Sequence, residues 1–142
     1  MKKQPHFKIA IVEDNDFYRK LLKGQIQNYF EGYRGMKSDG LTVKTYTNGS
    51  DFLENLTDET DVVVLDFHLQ HGENAIKILH KIRDRSSLKC KILIISSNPY
   101  IDLYYQTAKL GVADFVYKDV DAPVRCCRII EAMLSDRRKY DA

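Results

Sequence analysis

The sequence has no long apolar segment. Its longest apolar runs are four or five residues, as in VVVL and ILII, whereas a helix needs roughly 20 apolar residues to cross a bilayer. The first ten residues, MKKQPHFKIA, also lack the apolar centre of a signal peptide. These two absences predict a cytoplasmic protein with no membrane segment.

An excess of one charge is also missing. The 22 lysine and arginine residues face 20 aspartate and glutamate residues, which leaves a formal net charge of +2. Nucleic acids and anionic membranes attract strongly basic surfaces. The charge balance therefore gives no reason to expect either as a direct partner.

Cysteine is scarce and is not arranged for metal binding. The three cysteines are Cys90, Cys126 and Cys127, and their spacing matches no paired metal-ligand motif. The last two are adjacent and fall within a helical pattern. We therefore expect all three to be reduced, buried thiols.

Repeats, low-complexity tracts and linker-like segments are absent as well. A chain of 142 residues can enclose one sizeable core but is short for two. We therefore expect a single domain over residues 1–142, with an ordered core from about residue 7 to residue 136 and no further domain in this chain.

The sequence does contain five short β-branched runs, each followed by a segment with helical periodicity. The runs lie at residues 8–14, 41–46, 61–66, 91–96 and 113–118. Because VVVL and ILII are apolar at consecutive positions, helices must cover both faces of those strands. The pattern predicts a three-layer α/β/α sandwich around a parallel sheet.

The segment after the first strand predicts a helix with one core face. Its apolar residues recur at spacings of three and four, and they are Phe17, Leu21, Leu22, Ile26, Tyr29 and Phe30. The next segment, EGYRGMKSDG at residues 31–40, is polar and carries glycines. There we expect a solvent-exposed loop.

Polar side chains follow four of the predicted strands. They are Glu13, Asp14, Asp66, Ser96 and Lys118. Right-handed crossovers place the carboxyl ends of parallel strands on one edge of the sheet, and ligands of such sheets bind at that edge. We therefore expect these five side chains to lie close together.

The chemistry of this set points to phosphate. Three carboxylates that meet repel one another unless a cation lies among them, and a hard ion such as Mg²⁺ takes oxygen ligands and commonly bridges to phosphate. With that ion and Lys118 beside it, Asp66 is a competent nucleophile toward an activated phosphoryl group. Taken alone, Glu13 and Asp14 could merely cap the helix that begins near Asn15.

The sequence also contains, in order and over nearly its whole length, the segments IAIVEDN, VVVLDFHL, ILIISSN and GVADFVYKD. Together they resemble the receiver domain of two-component response regulators. The resemblance implies a flavodoxin-like, doubly wound sheet of five parallel strands in the order 2-1-3-4-5. It also implies a phosphoacceptor signalling domain rather than an enzyme, with no output domain in this chain.

The resemblance assigns the phosphoacceptor and the metal ligands. Asp66 would accept a phosphoryl group from the phosphohistidine of a sensor histidine kinase or a phosphotransfer protein. Mg²⁺ would be bound by Asp14, Asp66 and the backbone carbonyl of His68, with Glu13 assisting through water.

The resemblance also implies a conformational switch. Lys118 would pair with the phosphoryl group, the hydroxyl of Ser96 would move toward it, and the ring of Phe115 would turn into the space that Ser96 leaves. His68 and Asn98, each two residues beyond a site residue, are candidate modulators of phosphoryl lifetime.

The signalling surface implied by the resemblance is the face made by the fourth helix, the fifth strand and the fifth helix. Its partner would be a downstream protein or an output domain that this chain lacks, and a homodimer through the same face is an open alternative. Tyr100 and Tyr104 share one side of the fourth helix and fit such a partner surface.

Two positions depart from the family pattern. Lys118 is followed by Asp119, and the loop after Asp66 has Gln70, where prolines are usual in the family. A cis bond before a residue other than proline costs about 2.5 to 4 kcal/mol. Either the loop after Lys118 carries that strain or the lysine is presented differently.

Two other functions share part of this pattern. A haloacid dehalogenase-like phosphatase also uses a strand-terminal aspartate, but it needs a second acid two residues later, where this chain has His68. A degenerate receiver would bind proteins without being phosphorylated. It would be expected to lack Asp66, Lys118 or the acidic pair, all of which are present.

Overall fold

A computed structural model describes residues 6–69, 73–85, 87–98 and 101–141 of the chain. Its centre is a sheet of five parallel strands, with the neighbours in the order β2-β1-β3-β4-β5. The strands are β1 (Phe7–Val12), β2 (Leu41–Tyr46), β3 (Val62–Asp66), β4 (Lys91–Ser96) and β5 (Asp114–Tyr117). This order is the one predicted.

Helices follow each strand and complete the predicted three layers. They are α1 (Asp16–Gln27), α2 (Gly49–Asn55), α3 (Ala75–Arg83), α4 (Ile101–Ala108) and α5 (Ala122–Asp141). Buried residues of α1 and α5 join one core cluster, and those of α2 and α3 join a second. No helix within the described ranges is long and apolar enough to cross a membrane.

The central strands are buried on both faces, as their apolar runs predict. Successive residues of β1 alternate between the two core clusters, so that Ile9 and Ile11 belong to one and Ala10 and Val12 to the other. All five residues of β3 are buried. A strand in this position can expose only its ends, and the carboxyl end is where Asp66 lies.

The cysteines lie in the core, as predicted. Cys90, Cys126 and Cys127 are buried and form no disulfide. Burial raises the pKa of the Cys126 thiol to about 12 and that of Cys127 to about 11. Both thiols of α5 are therefore neutral at physiological pH, and they help to fill the core between the sheet and this helix.

The predicted core face of α1 is wrong at Phe17. Asn15 is the N-cap, and its side chain accepts a hydrogen bond from the Tyr18 backbone N–H at 2.8 Å. Phe17 is 76% exposed, because it precedes the buried Leu22 by five residues, which turns it about 140° away around the helix. Tyr18, four residues before Leu22, takes the inward position instead.

The segment predicted as an exposed loop is partly helical. A π-helical turn, Asn28–Tyr33, continues α1, and a 3-10 turn, Ser38–Gly40, precedes β2. The guanidinium of Arg34 forms an ion pair with Glu131 of α5 and stacks over the rings of two tyrosines. These contacts attach the first half of the segment to α5. The predicted exposure is confirmed for most of the segment, including residues 32–35, whereas the prediction of a loop is wrong at the two helical turns.

Candidate functional site

Three carboxylates meet at the carboxyl edge of the sheet. Glu13 and Asp14 follow β1, and Asp66 ends β3. Each offers an oxygen, and these oxygens all lie within 4.8 Å of one another. Glu13 and Asp66 are buried, whereas Asp14 is half-buried. The pairing of Val12 with Leu65 brings the ends of the two strands side by side.

Lys118 enters the same cluster from the loop after β5. Its ammonium nitrogen lies 2.6 Å from Glu13 Oε1 and 3.4 Å from Asp66 Oδ1. The Lys118 backbone N–H donates to the carbonyl of Ser96 at 2.8 Å, which continues the pairing of β5 with β4. The ammonium of Lys118 is therefore shared by two of the three acidic side chains, Glu13 and Asp66.

Glu13 lies in an unfavourable electrostatic environment. Burial and the neighbouring Asp66 carboxylate together raise its pKa to about 8, although Lys118 opposes the rise. Its second oxygen, Oε2, is buried with no hydrogen-bond partner among the described residues. A second cation beside this oxygen would relieve both problems.

The donor set of this edge fits a hard divalent cation. Glu13, Asp14 and Asp66 supply only oxygen atoms, the ligand type that Mg²⁺ prefers. The unpartnered oxygen of Glu13 provides a position where positive charge is needed. The fit therefore rests on the chemistry and burial of these side chains.

Ser96 lies on β4, next to the strand that carries Asp66, and Phe115 lies on β5, one strand further away. Ser96 ends β4, is completely buried, and its hydroxyl oxygen accepts a hydrogen bond from the Asn98 backbone N–H at 3.0 Å. Phe115 of β5 is half-buried, and its ring meets that of Tyr104 edge to face at 6.4 Å. The hydroxyl and the ring are thus on adjacent strands of the same edge region.

The candidate modulators lie at the rim of the site. His68 follows Asp66 by two residues, is exposed, and pairs through its backbone with Asn74. Asn98 is half-buried beside Ser96. Of the tyrosines proposed for a partner surface, Tyr104 is 49% exposed, whereas Tyr100 lies outside the described residues, as does Gln70.

The loop after Lys118 is held by polar contacts. No peptide bond in the described ranges is cis, so the Lys118–Asp119 bond is trans. The Asp119 carboxylate accepts two hydrogen bonds from Arg125, at 2.8 and 3.0 Å, and one from the Asp121 N–H at 3.0 Å. Arg125 also donates to the carbonyl of Tyr117 at 2.9 Å. We call these contacts the Asp119–Arg125 lock.

Two residues near the site were missed in the sequence. The Lys118 ammonium lies over the ring of Tyr18, 4.6 Å from its centroid, and the Arg19 guanidinium donates to the carbonyl of Glu13 at 3.1 Å. Asn15, as the N-cap, determines where α1 begins and therefore which side of the helix Tyr18 and Arg19 occupy. In the sequence, the spacing of four residues between Tyr18 and Leu22 indicates that Tyr18 lies on the same side of the helix as Leu22.

A comparison with protein-family models finds one match of high coverage. The model described as "Response regulator receiver domain" matches residues 9–129. A comparison with curated proteins gives no match.

Solved structures share the fold. The signal receiver domain of a putative Luxo repressor protein from Vibrio parahaemolyticus aligns with a TM-score of 0.76 at 17% identity, covering 96% of this chain and 95% of that one. The response regulator receiver protein from Pseudoalteromonas atlantica gives 0.74 at 14% identity, covering 92% and 98%. The BeF3-activated DrrB receiver domain gives 0.73 at 21% identity, again covering 92% and 98%.

Proposed function

This chain belongs to the response regulator receiver domain family, and from that premise we propose that it accepts a phosphoryl group on Asp66 from a phosphohistidine. The observation that carries the proposal is the position of Asp66. Its carboxylate ends a buried strand beside two other carboxylates, and one of its oxygens is 3.4 Å from the ammonium of Lys118.

The donor would be a sensor histidine kinase or a phosphotransfer protein. An oxygen of the Asp66 carboxylate attacks phosphorus, and an acyl phosphate bond forms. The bond between phosphorus and the imidazole nitrogen of the donor breaks, and its electron pair stays on that nitrogen. The family's chemistry is a phosphotransfer to the chain itself, which makes the domain a signalling phosphoacceptor rather than an enzyme acting on a separate substrate.

The metal ligands proposed for this reaction are Asp14, Asp66 and the backbone carbonyl of His68, with Glu13 contributing through water. The buried, unpartnered oxygen of Glu13 supports a cation at this place. Bound Mg²⁺ would offset the negative charge of the phosphoryl oxygens. Glu13 and Asp14 would help to hold this cation beside the Asp66 carboxylate.

Lys118 and Ser96 are proposed to hold the product. The ammonium of Lys118 already contacts Asp66 and Glu13, and it would exchange part of that contact for a phosphoryl oxygen. The Ser96 hydroxyl accepts from Asn98 and keeps its own proton available for donation. His68 and Asn98 border this space and would modulate how long the phosphoryl group survives.

The proposed signalling surface is the face of α4, β5 and α5. It exposes Tyr104, Tyr105, Tyr117 and Val124, and the ring contact between Tyr104 and Phe115 connects it to the strand that leads to Lys118. A movement of Ser96 that lets Phe115 turn inward would repack this contact. The partner is a downstream protein or an output domain, and a homodimer through the same face is the alternative.

The energy needed for such a switch is within reach of the site. Moving a two-state equilibrium from 1:99 to 99:1 takes about 5.5 kcal/mol. Hydrogen bonds to charged groups contribute about 1.5 to 3 kcal/mol each. Two or three new bonds from Lys118, Ser96 and neighbouring backbone groups to the phosphoryl oxygens would supply it.

Intact-protein mass spectrometry after incubation with Mg²⁺ and acetyl phosphate tests the proposal. We expect the wild-type chain to gain one phosphoryl group, with no gain in Asp66→Ala or in the presence of a chelator. Asp58→Ala, which removes an exposed carboxylate from the loop before β3, is the matched control and should be phosphorylated like the wild type.

The same experiment separates the alternative function. A chain that gains no phosphoryl group and forms no beryllofluoride complex would be a degenerate receiver that binds its partners without phosphorylation. An adduct that persists in Asp66→Ala would place the phosphoacceptor elsewhere and would contradict the assignment of Asp66.

A further inference from the structure

Tyr18 contacts the proposed phosphoryl-binding lysine in addition to the carboxylates. The ammonium of Lys118 lies 4.6 Å from the centroid of the Tyr18 ring, while Glu13 Oε1 and Asp66 Oδ1 lie 2.6 and 3.4 Å from the same nitrogen. The Lys118 side chain is only 16% exposed. The ammonium is therefore enclosed between an aromatic face and two carboxylates.

The place of Tyr18 is determined by the start of α1. Asn15 caps the helix and accepts from the Tyr18 N–H, and the ring packs against the core cluster shared by α1 and α5. Its backbone and its ring are both held by neighbours that do not belong to the site. This arrangement gives a fixed surface for the long, flexible side chain of Lys118.

The contact depends on the ring and not on the hydroxyl. The hydroxyl oxygen is buried without a hydrogen-bond partner among the described residues. Burial raises the pKa of Tyr18 to about 12, with smaller contributions from Cys126 and Glu13, so the phenol is neutral at physiological pH. The attraction to Lys118 is thus that of a cation for an aromatic face.

An aromatic face suits a cation that has to move. The attraction extends to about 6 Å from the ring centroid, and the ammonium is at 4.6 Å. The ammonium can therefore move about 1 Å away and still be attracted by the ring. The hydrogen bond from the ammonium to Glu13, in contrast, is broken by a movement of about 1 Å, because it needs a short and aligned contact. The ring can therefore guide the ammonium from Glu13 toward a phosphoryl group on Asp66.

We propose that Tyr18 is a positioning residue for the phosphotransfer reaction, acting through its ring on Lys118. The proposal rests on the function proposed above. Leu22 and Ile26 share the inward face of α1 but belong to the core alone, whereas Tyr18 joins the core to the site. An aromatic residue is required at position 18, and phenylalanine should serve as well as tyrosine.

Side-chain NMR of Lys118 tests the contact without any phosphorylation. In protein labelled with ¹³C-lysine, the ε-methylene signal of Lys118 is assigned by its disappearance in Lys118→Ala. We expect an upfield ring-current shift of this signal in the wild type and in Tyr18→Phe, and loss of the shift in Tyr18→Leu. An identical signal in all three proteins overturns the proposal.

Phosphorylation kinetics test the role. With acetyl phosphate and saturating Mg²⁺, Tyr18→Leu should phosphorylate about three- to tenfold more slowly than the wild type, and Tyr18→Phe should restore the rate. Tyr29→Leu, a half-buried tyrosine beyond the end of α1, is the matched control with an unchanged rate. If the leucine variant does not fold, Tyr18→Met fills the same space without an aromatic face and replaces it.

A double-mutant cycle separates positioning from a structural effect. Tyr18→Leu should cause no further loss in a Lys118→Ala background, because it acts through the lysine. An equal loss in both backgrounds would show that the ring only supports the fold and would contradict the proposal. If the wild type itself is not phosphorylated, the proposed function fails, and the NMR result alone decides whether Tyr18 holds Lys118.

Discussion

At the scale of single residues, the site brings together more acidic than basic side chains. Glu13 and Asp66 are buried, Asp14 is beside them, and Lys118 supplies one ammonium for all three. Burial of carboxylates without full compensation destabilises the folded state. A divalent cation among these three side chains would reduce this cost, because it is attracted by the same groups that destabilise the fold.

The first prediction is a pH dependence of stability that originates at Glu13. Its pKa is raised from 4.5 to about 8 in the folded chain, so between these values the unfolded chain loses a proton that the folded chain retains. Without divalent cations, the free energy of unfolding should therefore fall as pH rises from about 4.5 to about 8, by on the order of a few kcal/mol, and then level off.

Urea unfolding in a chelating buffer from pH 5 to pH 9, a range of about four units, measures this fall. Glu13→Gln carries no titratable group at this position, and its stability should change much less over the same range. Glu54→Gln, at an exposed position of α2, is the control and should behave like the wild type. The same slope in Glu13→Gln as in the wild type would show that Glu13 is not the cause.

At the scale of elements, loops position the reactive groups and helices hold the loops. The loop after β5 presents Lys118, and the Asp119–Arg125 lock attaches that loop to the first turn of α5. The Arg125 guanidinium also reaches back to the Tyr117 carbonyl. The side chains of Asp119 and Arg125 therefore hold the backbone of this loop against α5.

The second prediction concerns this lock. Arg125→Ala should slow phosphorylation by acetyl phosphate by about two- to fivefold, because the backbone that presents Lys118 loses its attachment to α5. The melting temperature should change little, since exposed ion pairs contribute little to stability. Stopped-flow or quenched-flow mass spectrometry of the adduct measures the rate.

The charge-swapped pair Asp119→Arg with Arg125→Asp should recover part of the rate that either single change removes. Arg128→Ala, at an exposed position of the same helix, is the control. Equal slowing by Arg125→Ala and Arg128→Ala would indicate that net charge, and not the lock, affects the reaction.

At the scale of the whole molecule, the carboxyl edge carries both the proposed phosphorylation site and exposed apolar side chains. Phe17 in the first turn of α1 is 76% exposed, and Val120 in the loop after β5 is 92% exposed. Both follow strands whose ends form the site. Exposed aromatic side chains are enriched at protein interfaces, so this edge is also suited to contact a protein donor.

The third prediction separates docking from chemistry. Phe17→Ser should leave phosphorylation by acetyl phosphate unchanged, because the small donor does not use the protein surface. It should reduce transfer from a histidine-phosphorylated phosphotransfer domain by about tenfold. Stability should change by no more than about 0.5 kcal/mol, as is usual for an exposed position.

Radiolabelled transfer from the phosphorylated donor domain measures the effect. Tyr33→Ser is the matched control, since Tyr33 is 73% exposed at the opposite end of the helical segment that begins with α1. Equal reduction by both substitutions would indicate a general loss of surface hydrophobicity instead of docking at the carboxyl edge.

The sequence alone determined the layers, the strands and the set of polar residues at the sheet edge. Consecutive apolar residues in β3 and β4 require helices on both faces of the sheet. A few neighbouring residues are enough to show this requirement, so it can be recognised in the sequence. The edge residues follow from chain direction, because parallel strands must end together. Glu13, Asp66 and Lys118 could therefore be brought together without coordinates.

The tertiary structure alone decided how those residues are partnered. Which side of α1 faces inward depends on the helix start at Asn15. A helix that began one residue away would turn Phe17 toward the core in place of Tyr18. The attachment of residues 28–33 to α5 depends on Glu131, about a hundred residues away in the chain. Contacts of this kind join segments that no local pattern connects, and the Tyr18 ring against Lys118 is one of them.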